Sequence, residues 1–491
     1  METKTLKQTV VKGLVWIFVQ NVFSKFLYFL STVWLARILM PADFGVVAIT
    51  TLVVNVLNIF VDFGISFSLI QNTEKEDEMP AVGLLLTFFF GVLCFFIGVG
   101  GAPVIASFFN ETTLVPFIQV MSFDLIITAF EVVPLALLNK NLQFKKRVLP
   151  EVIFVLLFGI VAIPLAQEEF GAWSIIFGTL IAHAVRTVLY WKRADMRILF
   201  LWEPHLVRRI IKYGYHAVGA SLLLFFLLNG DNAVIRKLLD NTSLGFYALA
   251  YTLANLPATH ITHIIGTVTF PVYAQLQKDS RGLRVAFHKI LHLITALSLP
   301  AGLGLIAIAP LLITTVYGHK WEPIIVPFQI LCVFGIIRSI LAVCGNVFYA
   351  VNKHVILKRI MIVQVGIMAV VVYPLTHSLG IAGTALTINI AQFVAMILIF
   401  HYVTKLLEDG FFVVFVPLLK TGMAALCMAF IVSALLWVHI LISPFFELVF
   451  LTLAGIVLYV FFLRYFNNHV FKECTQFLYV FKESLVQRWK Q

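Results

Sequence analysis

The sequence predicts an all-α integral membrane protein of about fourteen transmembrane helices, and three observations carry that prediction. The 491 residues are 61% hydrophobic and 12% charged, with a mean hydropathy of +0.99. Soluble globular domains carry roughly 25% charged residues, so this chain has too little polar surface to face water. Apolar runs of about 20 residues recur along its length, each able to cross a hydrocarbon core of about 30 Å. They are continuous rather than alternating, which argues against a β-barrel. Finally, the basic residues cluster in every second connection.

Taken in chain order, the expected spans are 13–36, 43–70, 81–109, 113–138, 148–166, 170–191, 213–235, 243–275, 285–317, 323–350, 355–376, 380–402, 411–438 and 445–465. With the N-terminus in the cytoplasm, 27 of the 35 Lys and Arg fall in cytoplasmic segments. Only Arg37, Arg236, Lys237 and Lys320 fall on the other side, while Lys25, Arg186, Arg338 and Lys420 lie within spans. This asymmetry follows the positive-inside rule and puts both termini in the cytoplasm. The net charge of +11 is therefore topology signal and attraction to anionic lipid, and no nucleic-acid partner is expected. The first span carries Gln20, Asn21 and Lys25 with no small-residue cleavage site after it, so no cleavable signal peptide is expected. Cys94, Cys332, Cys344, Cys427 and Cys474 are scattered without CxxC spacing, and no cofactor or metal site is expected from them.

The chain repeats itself. LARILMPADFGVVAIT (Leu35–Thr50) returns 200 residues later as IRKLLDNTSLGFYALA (Ile235–Ala250), with Leu39 matching Leu239, Gly45 matching Gly245, Ala48 matching Ala248 and Arg37 facing Lys237. Val115–Phe117 returns as Val326–Phe328. Pro164, Leu165 and Gly171 return as Pro374, Leu375 and Gly380, and Asn139-Lys140 returns as Asn352-Lys353. Spans 1–6 thus resemble spans 7–12. Six crossings per copy is even, which implies parallel lobes related by a pseudo-two-fold axis along the membrane normal. Transporters built this way bind substrate between their halves. The expected domains are an N-lobe over 1–205, with a cytoplasmic connector from about residue 192, and a C-lobe over 206–405. Two further helices occupy 406–465, and a cytoplasmic tail 466–491. ILFLW and LVRRII in the connector suggest a basic interfacial helix, and the tail looks similar.

In the repeated motif, Arg37 and Lys237 end one helix at the membrane interface and Pro41 opens the next. Asp43 or Ser243 is expected to cap that second helix. Gly45 and Gly245 let neighbouring helices close up. This motif is expected to be structural.

Polar residues within spans carry the functional expectation, because a central Lys, Arg or Asp costs about 2.5–3.5 kcal/mol on insertion scales and faces a bundle interior or wet cavity. Thr51, Asn55, Asn58 and Asp62 share a helical face. Asn55 is echoed by Asn255, beside His260 and His263. The group suits a cavity accepting sugar hydroxyls, with plain interhelical hydrogen bonding as the alternative; His260 and His263 lack further metal ligands. Asp124, Thr128 and Glu131 repeat the spacing. Asp124 and Glu131 are candidates for ion coupling, or Asp124 neutralises a buried base such as Lys25. Lys25 and Arg338, one in each half, are the cationic candidates for a phosphate group, with a structural ion pair as the alternative. Arg186 and Lys420 lie close enough to cytoplasmic ends to snorkel.

LARILMPADFG with DFGISFSLIQ (Asp62–Gln71) resembles the N-terminal signature of Wzx-type flippases, in the polysaccharide transporter branch of the multidrug/oligosaccharidyl-lipid/polysaccharide exporters. FPVYAQLQKDSRGLR (Phe270–Arg284), YGHKWEPII (Tyr317–Ile325) and LCVFGIIRSI (Leu331–Ile340) are similar to the subgroup serving colanic-acid-type exopolysaccharides. The resemblance implies an inner-membrane protein that moves undecaprenyl-pyrophosphate-linked oligosaccharide to the periplasmic leaflet by alternating access. Its partners would be that lipid, membrane lipids and polymerase or export machinery. The alternative function on the same scaffold is an ion-coupled exporter of small cationic compounds, which would favour acidic over basic residues in the cavity. A membrane enzyme would need a large outer loop, and the outer loops are a few residues long; no catalytic residue is expected.

Overall fold

The computed structural model describes residues 23–71, 78–194, 201–438 and 443–476, with the side chains of 260–268, 270 and 411–413 outside that description. Every element is helical among the described residues, and eleven helices there are long and apolar enough to cross a membrane. This is a multi-pass helical membrane protein. Its outward surface agrees: Phe430 is 76% exposed and Trp437 84%, positions that water would penalise and acyl chains accept.

The chain packs as two compact units that divide between Gly245 and Phe246. The first unit starts with α1 (residues 23–38). It continues with α2 (Pro41–Asp62), α3 (Ile65–Gln71), α4 (Met79–Phe108), α5 (Leu114–Met121), α6 (Phe123–Lys140), α7 (Phe144–Gln167), α8 (Ala172–Ala194) and α9 (Pro204–Leu238), then enters α10 (Asn241–Gln275). Leu35 of α1 and Leu39 just after it pack with Phe158, Ala162 and Ala166 of α7. A second core joins Val54, Cys94, Met121, Leu125 and Ile176, and so gathers α2, α4, α5, α6 and α8. Small residues set the approach: a Cβ on Gly91 would lie 2.5 Å from Ala129 Cβ, and one on Gly98 would lie 2.4 Å from Ser122 Oγ.

The second unit carries α10 onward into α11 (Ser280–Val316), a 3-10 turn over His319–Ile324, α12 (Ile325–Ala350), α13 (His354–Leu406), α14 (Phe411–Val438) and α15 (Pro444–Phe466). A short α16 follows over residues 468–476. Among the described residues one core runs from Tyr273 through Phe287 and Phe348 to Phe400, and another joins α11 to α14 and α15 through Ala307, Met428, Val432 and Leu451. Asp279 caps α11, its carboxylate accepting the Gly282 N–H at 2.9 Å. Asp279→Ala should therefore lower stability by about 1 kcal/mol, seen as a small drop in the melting temperature of the detergent-solubilised protein.

Several expected spans take a different form. The expected 43–70 is broken: Phe63 (φ 42°) and Gly64 (φ 70°) take left-handed backbone between α2 and α3. The expected 113–138 is divided at Ser122 into α5 and α6. The expected 355–376 and 380–402 are two helical stretches of α13, parted at Gly380, whose φ of 59° and ψ of −140° are not helical. Gly171, its partner in the repeat, has φ 54°. Both anchors thus hold left-handed backbone, which glycine adopts without strain. Part of the expected span 13–36 lies outside the described residues.

Candidate functional site

In the first unit, α2 presents Asn55, Asn58 and Asp62 to a hollow of about 360 Å³ whose other wall is α9, with Ser221, Phe225 and Asn229. Asn55 is exposed there. Asp62 lines the hollow, but its Oδ1 accepts the Ser66 N–H at 3.0 Å and hydroxyl at 2.8 Å, so this carboxylate also secures the start of α3. Asn58 is turned both ways. It lines the hollow and donates from Nδ2 to Asp124 Oδ2 at 3.2 Å.

Behind Asp124 lies a chain of buried charge. His183 of α8 has Nδ1 2.5 Å from Asp124 Oδ1 and Nε2 3.0 Å from Glu131 Oε2. The second approach is within ion-pair range but off line for a hydrogen bond, since Nε2 has no hydrogen-bond partner. Arg186 grips Glu131 with both arms, Nε to Oε2 at 3.1 Å and an Nη to Oε1 at 2.9 Å. Thr187 adds its hydroxyl at 3.0 Å. The guanidinium also sits 3.6 Å from Glu151 of α7 and 4.5 Å from the centre of the Phe154 ring, and Tyr190 donates to Glu151 at 2.7 Å. A forked guanidinium matches a carboxylate in geometry as well as charge, which explains why an arginine stands here. Arg186 thus does not snorkel to the interface; it turns inward because Glu131 and Glu151 offer more than water at the helix end. Asp124 meets His183 and Asn58 rather than Lys25.

Glu151 of α7 and His183, Thr187 and Tyr190 of α8 were missed in the sequence. His183, Arg186, Thr187 and Tyr190 follow i, i+3, i+4, i+7 spacing, one face of α8, and that spacing is the signal that finds them. An imidazole held between two carboxylates can carry one or two ring protons, which suits it to take up or release a proton in place.

In the second unit, Arg338 of α12 donates to Asn255 Oδ1 at 3.1 Å, and Asn255 donates onward to the Tyr251 carbonyl at 2.9 Å. Two expected site residues are thereby brought together. Among the described residues Arg338 meets an amide oxygen and no carboxylate. The side chains of His260 and His263 lie outside the described residues. Lys25 is exposed on α1. An apolar groove of about 400 Å³ runs between α11, α14 and α15, floored by Gly304, Met428, Val432 and Gly455.

The repeated motif is an interlock within the first unit. A Cβ on Gly45 would fall 1.8 Å from the Asn241 carbonyl oxygen, and a Cβ on Gly245 would fall 1.8 Å from the Pro41 carbonyl oxygen. The first turns of α2 and α10 therefore seat against each other through bare backbone. Capping differs from the expectation. Asp43, in the first turn, reaches back to the Met40 N–H at 2.9 Å. In the other copy Asp240 accepts the Ser243 backbone N–H at 2.6 Å, so Asp240 and not Ser243 provides the cap. Arg236 pairs with Glu111 at 3.2 Å, and Lys237 donates to the Phe108 carbonyl, tying the end of α9 to the end of α4.

Comparison with known proteins adds the family. The family model described as "Polysaccharide biosynthesis protein" matches residues 34–326. The chain belongs to this family. Among curated proteins, it is 28% identical over 353 residues to the lipopolysaccharide biosynthesis protein WzxC of Escherichia coli (strain K12), covering 70% of this chain and 71% of that one. It is 27% identical over 413 residues to an uncharacterized membrane protein in the cps region of Klebsiella pneumoniae, covering 82% and 83%. Among solved structures, the lipid II flippase MurJ in an inward closed conformation matches with a TM-score of 0.76 and 15% identity, over 92% of this chain and 99% of that one. At that identity the likeness is one of fold.

Proposed function

We propose that this polysaccharide biosynthesis protein is a flippase for lipid-linked oligosaccharide, carrying a polyprenyl-pyrophosphate sugar from the cytoplasmic to the periplasmic leaflet of the inner membrane, with both termini in the cytoplasm. The observation that carries the proposal is Arg338: a guanidinium within a membrane-spanning helix, oriented by Asn255, with no carboxylate partner among the described residues. An intramembrane arginine is costly, and one left without a counter-charge suits an anionic guest that supplies it. A pyrophosphate does so, and the forked donors fit its oxygens. Lys25 is the matching cation in the other half. The polar hollow with Asn55, Asn58, Ser221 and Asn229 supplies amides and hydroxyls for sugar, while the apolar groove offers the lipid tail a path that stays in hydrocarbon.

Access alternates between lobes of residues 1–205 and 206–405. Asp124 and Glu131, with His183 between them, are the ion-coupling group. They suit protons better than a metal cation, since Arg186 already offsets Glu131. Transport in vesicles under an imposed proton or sodium gradient distinguishes these couplings. No step requires a nucleophile, so the chain moves its substrate chemically unchanged.

In a strain lacking the equivalent flippase, Arg338→Ala should reduce complementation at least tenfold at unchanged membrane abundance, and Arg338→Lys should retain part of it. Lys25→Ala should act in the same direction, and the double variant should be inactive. A fully active double variant overturns the pyrophosphate assignment.

A further inference from the structure

The second unit holds a histidine-rich cluster that the proposed transport site does not include. His292 of α11 has Nδ1 2.8 Å from Glu473 Oε2, and His469 has Nδ1 3.8 Å from the same oxygen. One donor atom from each of the three residues lies within 4.8 Å of the others. His469 and Glu473 are four apart on α16, so the helix delivers both to one face, while His292 comes from 181 positions away in the chain. The rings of His292 and His469 are 6.0 Å apart and nearly perpendicular, at 87°.

From this arrangement we propose that His292, His469 and Glu473 form a binding site for a divalent metal ion of the zinc class, clamping α16 to α11. Two imidazoles and a carboxylate are a donor set that zinc accepts, leaving a fourth position for water. Ligand bonds of about 2.0–2.2 Å place neighbouring donors roughly 3.3–3.5 Å apart in a tetrahedron. The present spread of 2.8 to 4.8 Å brackets that spacing, so small side-chain rotations convert the cluster into a site. Entry is open on one side, because the His469 side chain is 74% exposed, whereas His292 is 8% exposed. The backbone is already positioned. Asn467 caps α16 through the Val470 N–H at 3.4 Å and anchors it by donating to Thr421 Oγ1 at 3.2 Å and the Pro417 carbonyl at 3.3 Å. His288, one turn before His292, is engaged by Asp409 at 2.5 Å, which keeps that imidazole apart from the three donors.

The test uses full-length protein purified without a histidine tag and titrated with Co²⁺, whose visible spectrum reports tetrahedral ligation, followed by displacement with Zn²⁺. One equivalent should bind with a tetrahedral spectrum. Removing one ligand by His469→Ala or Glu473→Gln should weaken binding by more than the roughly 10- to 100-fold that losing a mere supporting partner of a ligand costs; His469 is exposed, so that variant is expected to fold normally, as its elution profile will report. Zinc should also slow proteolysis beyond residue 466 in the wild type and not in His469→Ala. Absence of a tetrahedral spectrum, or equal cobalt affinity in the wild type and the His469→Ala/Glu473→Gln double variant, overturns the proposal.

Discussion

Arg186→Ala should destabilise the folded protein by about 3–5 kcal/mol. That is the usual effect of removing one partner from a buried pair, because the charge left behind keeps its desolvation penalty and loses its compensation. Here two carboxylates are stranded: Glu131, which accepts both arms of the guanidinium, and Glu151 beyond it. The measurement is thermal unfolding of the detergent-solubilised protein without ligand. Arg186→Leu combined with Glu131→Leu and Glu151→Gln should recover most of the loss, since a whole buried ionic group can often be exchanged for apolar packing at little net change. An unchanged melting temperature for Arg186→Ala would mean that water reaches Glu131 and takes over from the guanidinium.

The second large effect is expected at the interlocked glycines. Gly45→Ala and Gly245→Ala each place a methyl group 1.8 Å from a backbone carbonyl oxygen. Overpacking costs about 1–3 kcal/mol where side chains can rearrange. A helix backbone cannot rotate aside, so the effect should reach or exceed the upper end. Folded protein in the membrane should fall several-fold, measured as monodisperse material after solubilisation. Gly100→Ala is the control: its Cβ would meet nothing within 4 Å, and alanine is the better helix former. Because each glycine faces the other's turn, the double variant should lose less than the sum of the singles.

Hydropathy suffices to find the helices because lipid demands a continuous apolar run, and the echo at 200 residues shows that the pattern is written twice. The break at Phe63–Gly64 was not legible, since Asp62 and Ser66 are too few to interrupt the apolar run of IFVDFGISF and only the backbone reveals the left-handed pair. Asp62 was legible as a polar residue on the Asn55 face, but its hydrogen bonds to Ser66 depend on that hidden break. Asn255 and Arg338 were both singled out, yet nothing in either segment says that they touch, as they lie 83 positions apart in the chain. His183 escaped for a related reason. Alone on an apolar helix a histidine carries little meaning, and its partners come from α6, 59 positions earlier for Asp124. Arg186 was assigned to the interface by its nearness to a helix end; depth alone could not reveal that Glu131 and Glu151 would draw it inward.

Asn58 has one amide, and two neighbourhoods compete for it. Its nitrogen is held by Asp124, and its carbonyl oxygen is buried with no hydrogen-bond partner. Any guest that draws this side chain toward the α2–α9 hollow must loosen the Asp124 contact. Thermodynamic reciprocity then ties occupation of the hollow to the arrangement of the buried charges behind it, so on the proposed sugar-binding role Asn58→Ala should change the affinity for a sugar-bearing ligand and uncouple it from substitutions at Asp124.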